Sequence, residues 1–262
     1  MQTSNYRHDR AIVYRSAAKE MLHEAHAVGI KVVGWYLPSL NRLNQDFRRV
    51  RAAIDLRGPE GERFDSFALD IESTTVSDIK ERNQRMLFLS NQIRDYVGTD
   101  YALGAIVPDP GHSMYWPGFP YKGVNDFFDV FLPMSYFTWR TAGYENVRKY
   151  VGLNIRKVRK GTGDKDVPIH VIGGLAGAAS RREVQALVNT ARERHIAGVS
   201  LYDFSITEDH EWEVMNKVAP APRSAGRGLF REEPVGRQPR SQHESNGCPT
   251  CRFQALITFL LS

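Results

Sequence analysis

The chain has 262 residues, 42% of them hydrophobic, enough for one large core, and a single α/β barrel of roughly 250 residues would use most of it. Its formal net charge is +5 at pH 7, but residues 219–262 alone carry six Arg against three Glu, and the near-neutral remainder argues against nucleic acid as a partner. No stretch reaches the roughly 18 to 20 apolar residues of a membrane span, and Met1 to Arg10 is polar, without the apolar run of an export signal, so the chain as written reads as cytoplasmic.

The elements follow in chain order. A helical pattern covers 9–28 and ends at Gly29, a residue suited to a helix C-terminus. Residues 30–37 read as a strand and 41–56 as a helix stopped by Arg57-Gly58-Pro59. A strand over 64–72 precedes a long amphipathic helix over 76–97, closed by Gly98. Residues 101–107 form a strand that opens into an aromatic loop, and 124–136 hold another. Strands at 167–173 and 198–203 complete the set, with helices near 143–160, 180–195 and 208–218.

Strand and helix in alternation mean parallel strands joined by right-handed crossovers. A closed barrel needs eight strands, and six are legible. The pattern also opens on a helix. The expected fold is therefore an incomplete α/β (β/α)8 TIM-barrel type over residues 1–218, with about six βα units and the first two strands missing. The strands at 30–37 and 198–203 would then be open edges, a route to self-association. A six-stranded doubly wound sheet is the alternative, but no Gly-rich phosphate turn follows any strand. Ile172-Gly173-Gly174-Leu175-Ala176-Gly177 lacks the spacing of a dinucleotide fingerprint and reads as a strand end turning into a loop. No cofactor is expected.

From 219 to 262 the composition changes. Pro220, Pro222, Pro234, Pro239 and Pro249 alternate with Arg, Gly and Ser, which suits a disordered or aberrant Pro/Arg-rich tail. Both cysteines, Cys248 and Cys251, fall here, so the rest of the chain needs no disulfides. With His243 they offer three metal ligands where a structural zinc site wants four, and no metal is expected. The apolar run 253–261 is too short to cross a bilayer.

The segment Ala68-Leu69-Asp70-Ile71-Glu72-Ser73 is the most informative in the sequence. Side chains alternate along a strand, so Phe67, Leu69 and Ile71 share one face while Ser66, Ala68, Asp70 and Glu72 share the other. The large apolar set calls for a helical layer. The acids then sit about 7 Å apart at a strand tip, a spacing suited to acid/base work on a bound substrate. The plain alternative is a solvated strand end followed by a helix cap at Ser73 or Thr74.

Other strand ends add candidates, since the C-terminal ends of parallel barrel strands line the active site. Met134 and Tyr136 share a face, which puts a phenol beside the acids if that face is inward. Tyr115, Trp116, Phe119 and Tyr121 crowd a polar loop as a stacking platform for a flat apolar face such as a sugar ring. Asp203 either holds a substrate hydroxyl or caps the following helix, which contains Trp212. A metal-dependent, phosphodiesterase-type reading makes Asp70, Glu72, Asp109 and His112 ligands of a divalent ion.

The run Asp65-x-x-Ala68-x-Asp70-x-Glu72 resembles the signature of glycoside hydrolase family 18, the chitinase-like barrels, in which three Asp and one Glu fill those places. The Ala-Ile-Val-Pro at 105–108, Met-x-Tyr at 134–136 and Gly-Gly at 173–174 follow in the same order. The resemblance implies a glycosidase on an N-acetylated glycan, with Glu72 as general acid. Asp70 would stabilise the ring-closed intermediate of a substrate-assisted route, and Tyr136 would bond the acetyl group. Met134, Tyr115, Trp116, Trp35, Asp203 and Trp212 would bind substrate. Ala68 stands where the family has a buried Asp. Ala27 to Tyr36 followed by Asp-x-Glu is similar to the lysozyme-like family 25, although the further acid of that family's first strand is absent. Members of such families are often secreted. A non-catalytic glycan-binding barrel, or an inactive truncated fragment, is the alternative.

Overall fold

The computed structural model describes residues 1–112 and 114–216, so the tail's proline-rich run, the Cys248/Cys251/His243 group and the apolar segment at 253–261 lie outside the described residues. Among the described residues there are seven strands: β1 (Gln2–Asn5), β2 (Val33–Leu37), β3 (Ser66–Asp70), β4 (Leu103–Val107), β5 (Val130–Pro133), β6 (His170–Leu175) and β7 (Gly198–Tyr202). The principal helices are α1 (Arg15–Ala27), α2 (Leu43–Ile54), α3 (Ile79–Val97), the short α4 (Tyr121–Asn125), α5 (Tyr144–Thr162), α6 (Arg181–Glu193) and α7 (Asp209–Met215).

All strand pairs are parallel and follow chain order. β1 to β5 form one sheet and β6 pairs with β7. Two bridges, Phe131 to Ile169 and Met134 to Ile172, carry the order across from β5 to β6. Among the described residues no ladder joins β1 to β7, so this is an open TIM-barrel-type sheet.

The count exceeds the sequence-based one by a strand. Gln2-Thr3-Ser4-Asn5 has no apolar signature, and backbone pairing to β2 makes the strand instead. Thr3 and Ser4 are buried, and the Thr3 hydroxyl donates to the Trp35 carbonyl at 3.0 Å. β2, expected as an open edge, is therefore paired on both sides, and the edges among the described residues are β1 and β7.

The two faces of the sheet separate as the alternation of β3 requires. Tyr36, Phe67, Leu69, Ile71, Leu103, Ala105, Val107 and Phe131 pack in the large cluster with helix residues such as Leu22, Val50, Met86 and Leu89. Val33, Trp35, Ala68, Ile106, Leu132, Met134 and Ile172 form a second, inner cluster, fringed by Tyr136 and Tyr202. In register, Trp35, Ala68, Gly104 and Val130 make one inward row and Asp70, Ile106 and Leu132 the next. Gly104 is needed there: a Cβ would lie 2.7 Å from Leu132 Cδ1 and 3.2 Å from Ala68 Cβ.

Side-chain anchors set the loops. Asp65, at the entry to β3, accepts from the Val32 amide at 2.7 Å, from His26 Nε2 at 2.9 Å and from Lys31 Nζ at 3.2 Å. Asp46 on α2 accepts from the Tyr36 hydroxyl at 2.7 Å and from the amides of Ser39 and Leu40, which fixes the turn after β2. Gly173 and Gly174 continue β6 and do not end it as expected. A Cβ at Gly174 would come within 2.6 Å of Thr138 Cγ2, so the glycine lets the turn carrying Thr138 and Trp139 lie on the strand.

Candidate active site

Asp70 ends β3 on its inward face and Glu72 follows one alternation later, at the C-terminal end of the sheet. The helix cap of the plain alternative is elsewhere: α3 begins after Asp78, whose carboxylate accepts from the Glu81 amide at 2.7 Å. Asp70 is 6% exposed and its Oδ1 has no hydrogen-bond partner. Burial, with the Glu72 charge adding to it, pushes its carboxyl well above the usual range. Glu72 is half-buried, and burial raises it too, partly offset by the Arg7 guanidinium on the loop after β1.

Three phenols lie in the field of the acids, and Trp139 packs on one of them. Tyr136, after β5, meets Trp139 edge-on at 5.0 Å between ring centroids and Tyr202, at the end of β7, at 6.0 Å. Burial raises the phenol of Tyr136, and Asp70 and Glu72 raise it further, which places the hydroxyl within the field of both acids. Tyr202 and Tyr115 are raised by burial, with the same two carboxylates contributing. All three phenols are therefore neutral hydrogen-bond donors at any ordinary pH. Tyr115 is 45% exposed and Trp139 is 62% exposed, so apolar ring surface is open to solvent on this side of the sheet.

The aromatic loop divides differently from the expectation. Trp116 is 1% exposed, with Arg82 stacked on its ring at 4.7 Å, Phe119 against its edge at 5.4 Å and Nε1 donating to Asn83 at 2.8 Å. Its indole is a packing element and not an open platform. The loop looked too polar for a core because Arg82 and Asn83, which satisfy it, come from α3, distant in sequence. Phe119 is buried as well, against Tyr121 at 4.8 Å.

Trp35 is buried in the inner cluster, in register with Ala68, and so lies one inward row below Asp70 and not on an exposed surface. Met134 is buried there too, bridged to Ile172. Asp203 is buried and accepts from the Ser205 amide at 2.8 Å and from the Ser205 hydroxyl, capping the short turn that follows it. Trp212, on α7, meets Phe204 edge-on at 5.9 Å.

Of the four proposed metal ligands, Asp109 is committed elsewhere. Its carboxylate accepts from the Tyr150 hydroxyl, from Arg140 Nε at 3.3 Å and from the Gly111 amide at 2.9 Å. His112 Nδ1 stands 3.7 Å from the same group. Among the described residues, the set whose ligand atoms lie within 4.8 Å of one another is His23, Glu60 and Glu62. It lies on α1 and the loop entering β3, at the other end of the sheet from the acids.

Sequence reasoning did not single out Tyr202, Trp139 or Arg7. Tyr202 precedes the chosen Asp203, and in the inward alternation of β7 it, not Asp203, joins the inner face. Trp139 follows Tyr136 by three positions, a spacing that one helical turn brings together. Nothing in the polar N-terminal run signals Arg7.

No protein-family model and no curated protein sequence matches the chain. Solved structures do. The endo-beta-1,4-mannanase of Thermotoga petrophila aligns with a TM-score of 0.54 and 11% identity over 72% of this chain and 52% of its own. A chitinase of Rhizomucor miehei aligns at 0.56 and 14% identity, over 78% of this chain and 87% of its own. The fold is the one these enzymes share. The spore cortex-lytic enzyme of Bacillus megaterium adds a third likeness, at 0.52 and 9% identity over 76% of this chain and 61% of its own. The chain thus spans about half of the mannanase, three fifths of the cortex-lytic enzyme and most of the chitinase. Among the described residues no helix is long and apolar enough to cross a membrane.

Proposed function

We propose that the chain is a glycosidase acting on an N-acetylated glycan, chitin-like or peptidoglycan, at the tip of β3. The observation that carries this reading is the inward Asp70/Glu72 pair, both acids held above their ordinary range, beneath open tyrosine and tryptophan rings. Glu72, the more accessible acid, is biased toward its protonated form by burial and delivers that proton to the glycosidic oxygen as that bond breaks. The substrate's own acetamide oxygen attacks the anomeric carbon. Positive charge develops on the ring-closed intermediate, and the carboxyl oxygen of Asp70 behind it accepts a hydrogen bond from the acetamide N–H, which orients the acetamide and stabilises that charge. Tyr136 holds the acetyl group with its neutral hydroxyl. Glu72, now a carboxylate, takes a proton from the water that opens the intermediate, which restores the resting state. The chitinase and cortex-lytic likenesses support the substrate class.

Glu72→Gln in the full chain is expected to lower kcat on chitin oligomers or peptidoglycan by about 10²-fold or more, with an unchanged circular dichroism spectrum. Unchanged turnover would remove Glu72 from the reaction and this reading with it. Ala68 favours a second reading, a glycan-binding barrel without turnover. Saturable binding of N-acetylglucosamine oligomers by a wild-type chain that hydrolyses none of them would establish that one instead.

A further inference from the structure

Arg7 is a cation that the site chemistry leaves without a task. It follows β1 on a loop at the same end of the sheet as the acids. Asn5 pairs with Leu37 and Tyr36 with Leu69, so the next row of the sheet sets Asn5, Leu37 and Asp70 side by side. The Tyr6 amide extends the ladder by donating to the Leu37 carbonyl at 3.0 Å. Leu37 fringes the inner cluster, which puts this row on the inward face. Adjacent strands lie about 4.8 Å apart, so Asn5 stands about 10 Å from Asp70. Arg7 and Glu72 each follow that row by two residues. Glu72 feels the Arg7 charge, which works against the upward push of burial on its carboxyl.

The loop is held from behind. Arg49, 3% exposed on α2, donates to the Asn5 carbonyl at 3.0 Å and to the His8 carbonyl, and the Ser4 hydroxyl donates to the Arg10 carbonyl at 2.7 Å. The Arg7 amide donates to Asn5 Oδ1 at 2.9 Å. What this clamp presents is an exposed guanidinium. Its Nε donates to the Tyr6 hydroxyl at 3.3 Å and its central carbon lies 5.4 Å from the centre of the Tyr6 ring. Among the described residues its two terminal nitrogens have no hydrogen bond and no salt bridge. Arg49, Arg82 and Arg140, which also reach the loops at this end of the sheet, are committed to backbone carbonyls, to the Trp116 ring and to Asp109.

A planar fork of N–H donors with a permanent charge grips a carboxylate at two points. A glycan lying across the acids and over the end of β2 brings its side groups to this fork. Neutral chitin offers hydroxyls and acetamides there, and an acidic glycan offers a carboxylate. We propose that Arg7 is a subsite for a carboxylate carried by the glycan, so that the preferred substrate is an acidic N-acetylated polymer and not neutral chitin. The proposal rests on the glycosidase reading for the placing of the glycan at Glu72. Two sugars supply such a group: N-acetylmuramic acid through its lactyl ether, and a uronic acid alternating with N-acetylglucosamine.

Calorimetric titration of the full chain with three oligomers of equal length tests this: N-acetylglucosamine alone, N-acetylglucosamine alternating with N-acetylmuramic acid, and N-acetylglucosamine alternating with glucuronic acid. The Glu72→Gln chain is used, where Arg7 has no carboxylate at position 72 to act on. At least one acidic oligomer is expected to bind about ten-fold tighter than the neutral one at low salt, as a charge-assisted pair at an exposed site allows. Whichever shows the gain names the source of the carboxylate. Arg7→Ala should erase the preference, and Arg7→Lys, which keeps the charge without the fork, should keep part of it. Because each variant is read as a ratio of affinities, a change in folded fraction cancels. No binding of any oligomer, equal affinity for all three, or a preference that survives Arg7→Ala would overturn the proposal. Turnover of chitin oligomers by a wild-type chain without an Arg7-dependent preference keeps the glycosidase reading and removes the subsite. An Arg7-dependent preference in a chain whose wild type hydrolyses none of the three does the reverse.

Discussion

Replacing His170 by leucine should flatten the acid limb of the stability curve. His170 opens β6 on the inward face, is 3% exposed, and has no partner for either ring nitrogen. Burial holds its pKa down to about 4, against an ordinary value of 6.5. The folded state therefore carries a neutral ring while the unfolded chain takes up a proton as pH falls below 6.5. Stability from this group is complete above 6.5 and drains away as pH falls toward 4. At about 1.36 kcal/mol per unit, the shift is worth about 3 kcal/mol by pH 4. The space is tight, since a Cβ at Gly198 would lie 2.7 Å from His170 Nδ1, so leucine, similar in volume, is the suitable replacement. Urea unfolding of both chains at pH 7.5 and pH 4 checks this. The wild type should lose about 3 kcal/mol more than His170→Leu between the two, and the variant should be no less stable at pH 7.5, having shed two unpartnered polar atoms. Equal losses would show that the His170 proton does not couple to folding and would refute the burial argument.

Asp70→Asn should stabilise the fold at neutral pH, because a carboxyl with a raised folded-state pKa loses stability as pH rises through the unfolded value. The midpoint of thermal unfolding at pH 7 should rise, and the advantage should vanish near pH 3. Gly104→Ala should cost about 1–3 kcal/mol in urea unfolding, since its methyl would meet Leu132 Cδ1 at 2.7 Å. A neutral result would mean that Leu132 has a free alternative rotamer.

How much was legible follows from the kind of signal each residue carries. The alternation of β3 placed Phe67, Leu69 and Ile71 against the helices and Ala68 and Asp70 inside, because a strand buried on both faces still has to separate bulk from chemistry. Strong apolar runs also marked β2 and β4 to β7. β1 was illegible because Gln2-Thr3-Ser4-Asn5 is strand only by virtue of the neighbour it pairs with. Trp116 was misplaced for the same reason, since its burial depends on Arg82 and Asn83 of another element.

The sequence by itself determined the strand–helix alternation, the two acids at one strand tip and the alanine beneath them. These are local facts, fixed by a period of two along the chain. Tertiary structure alone decided that Tyr136, Trp139 and Tyr202 stand together at the ends of β5 and β7 and that Trp35 lies one inward row below Asp70. Which strand ends face one another depends on curvature and register across β3, β5 and β7, and no pattern within one segment encodes that. The raised pKa values of Asp70 and Glu72 belong to the same class, because desolvation is a property of what surrounds a group and not of its neighbours in sequence.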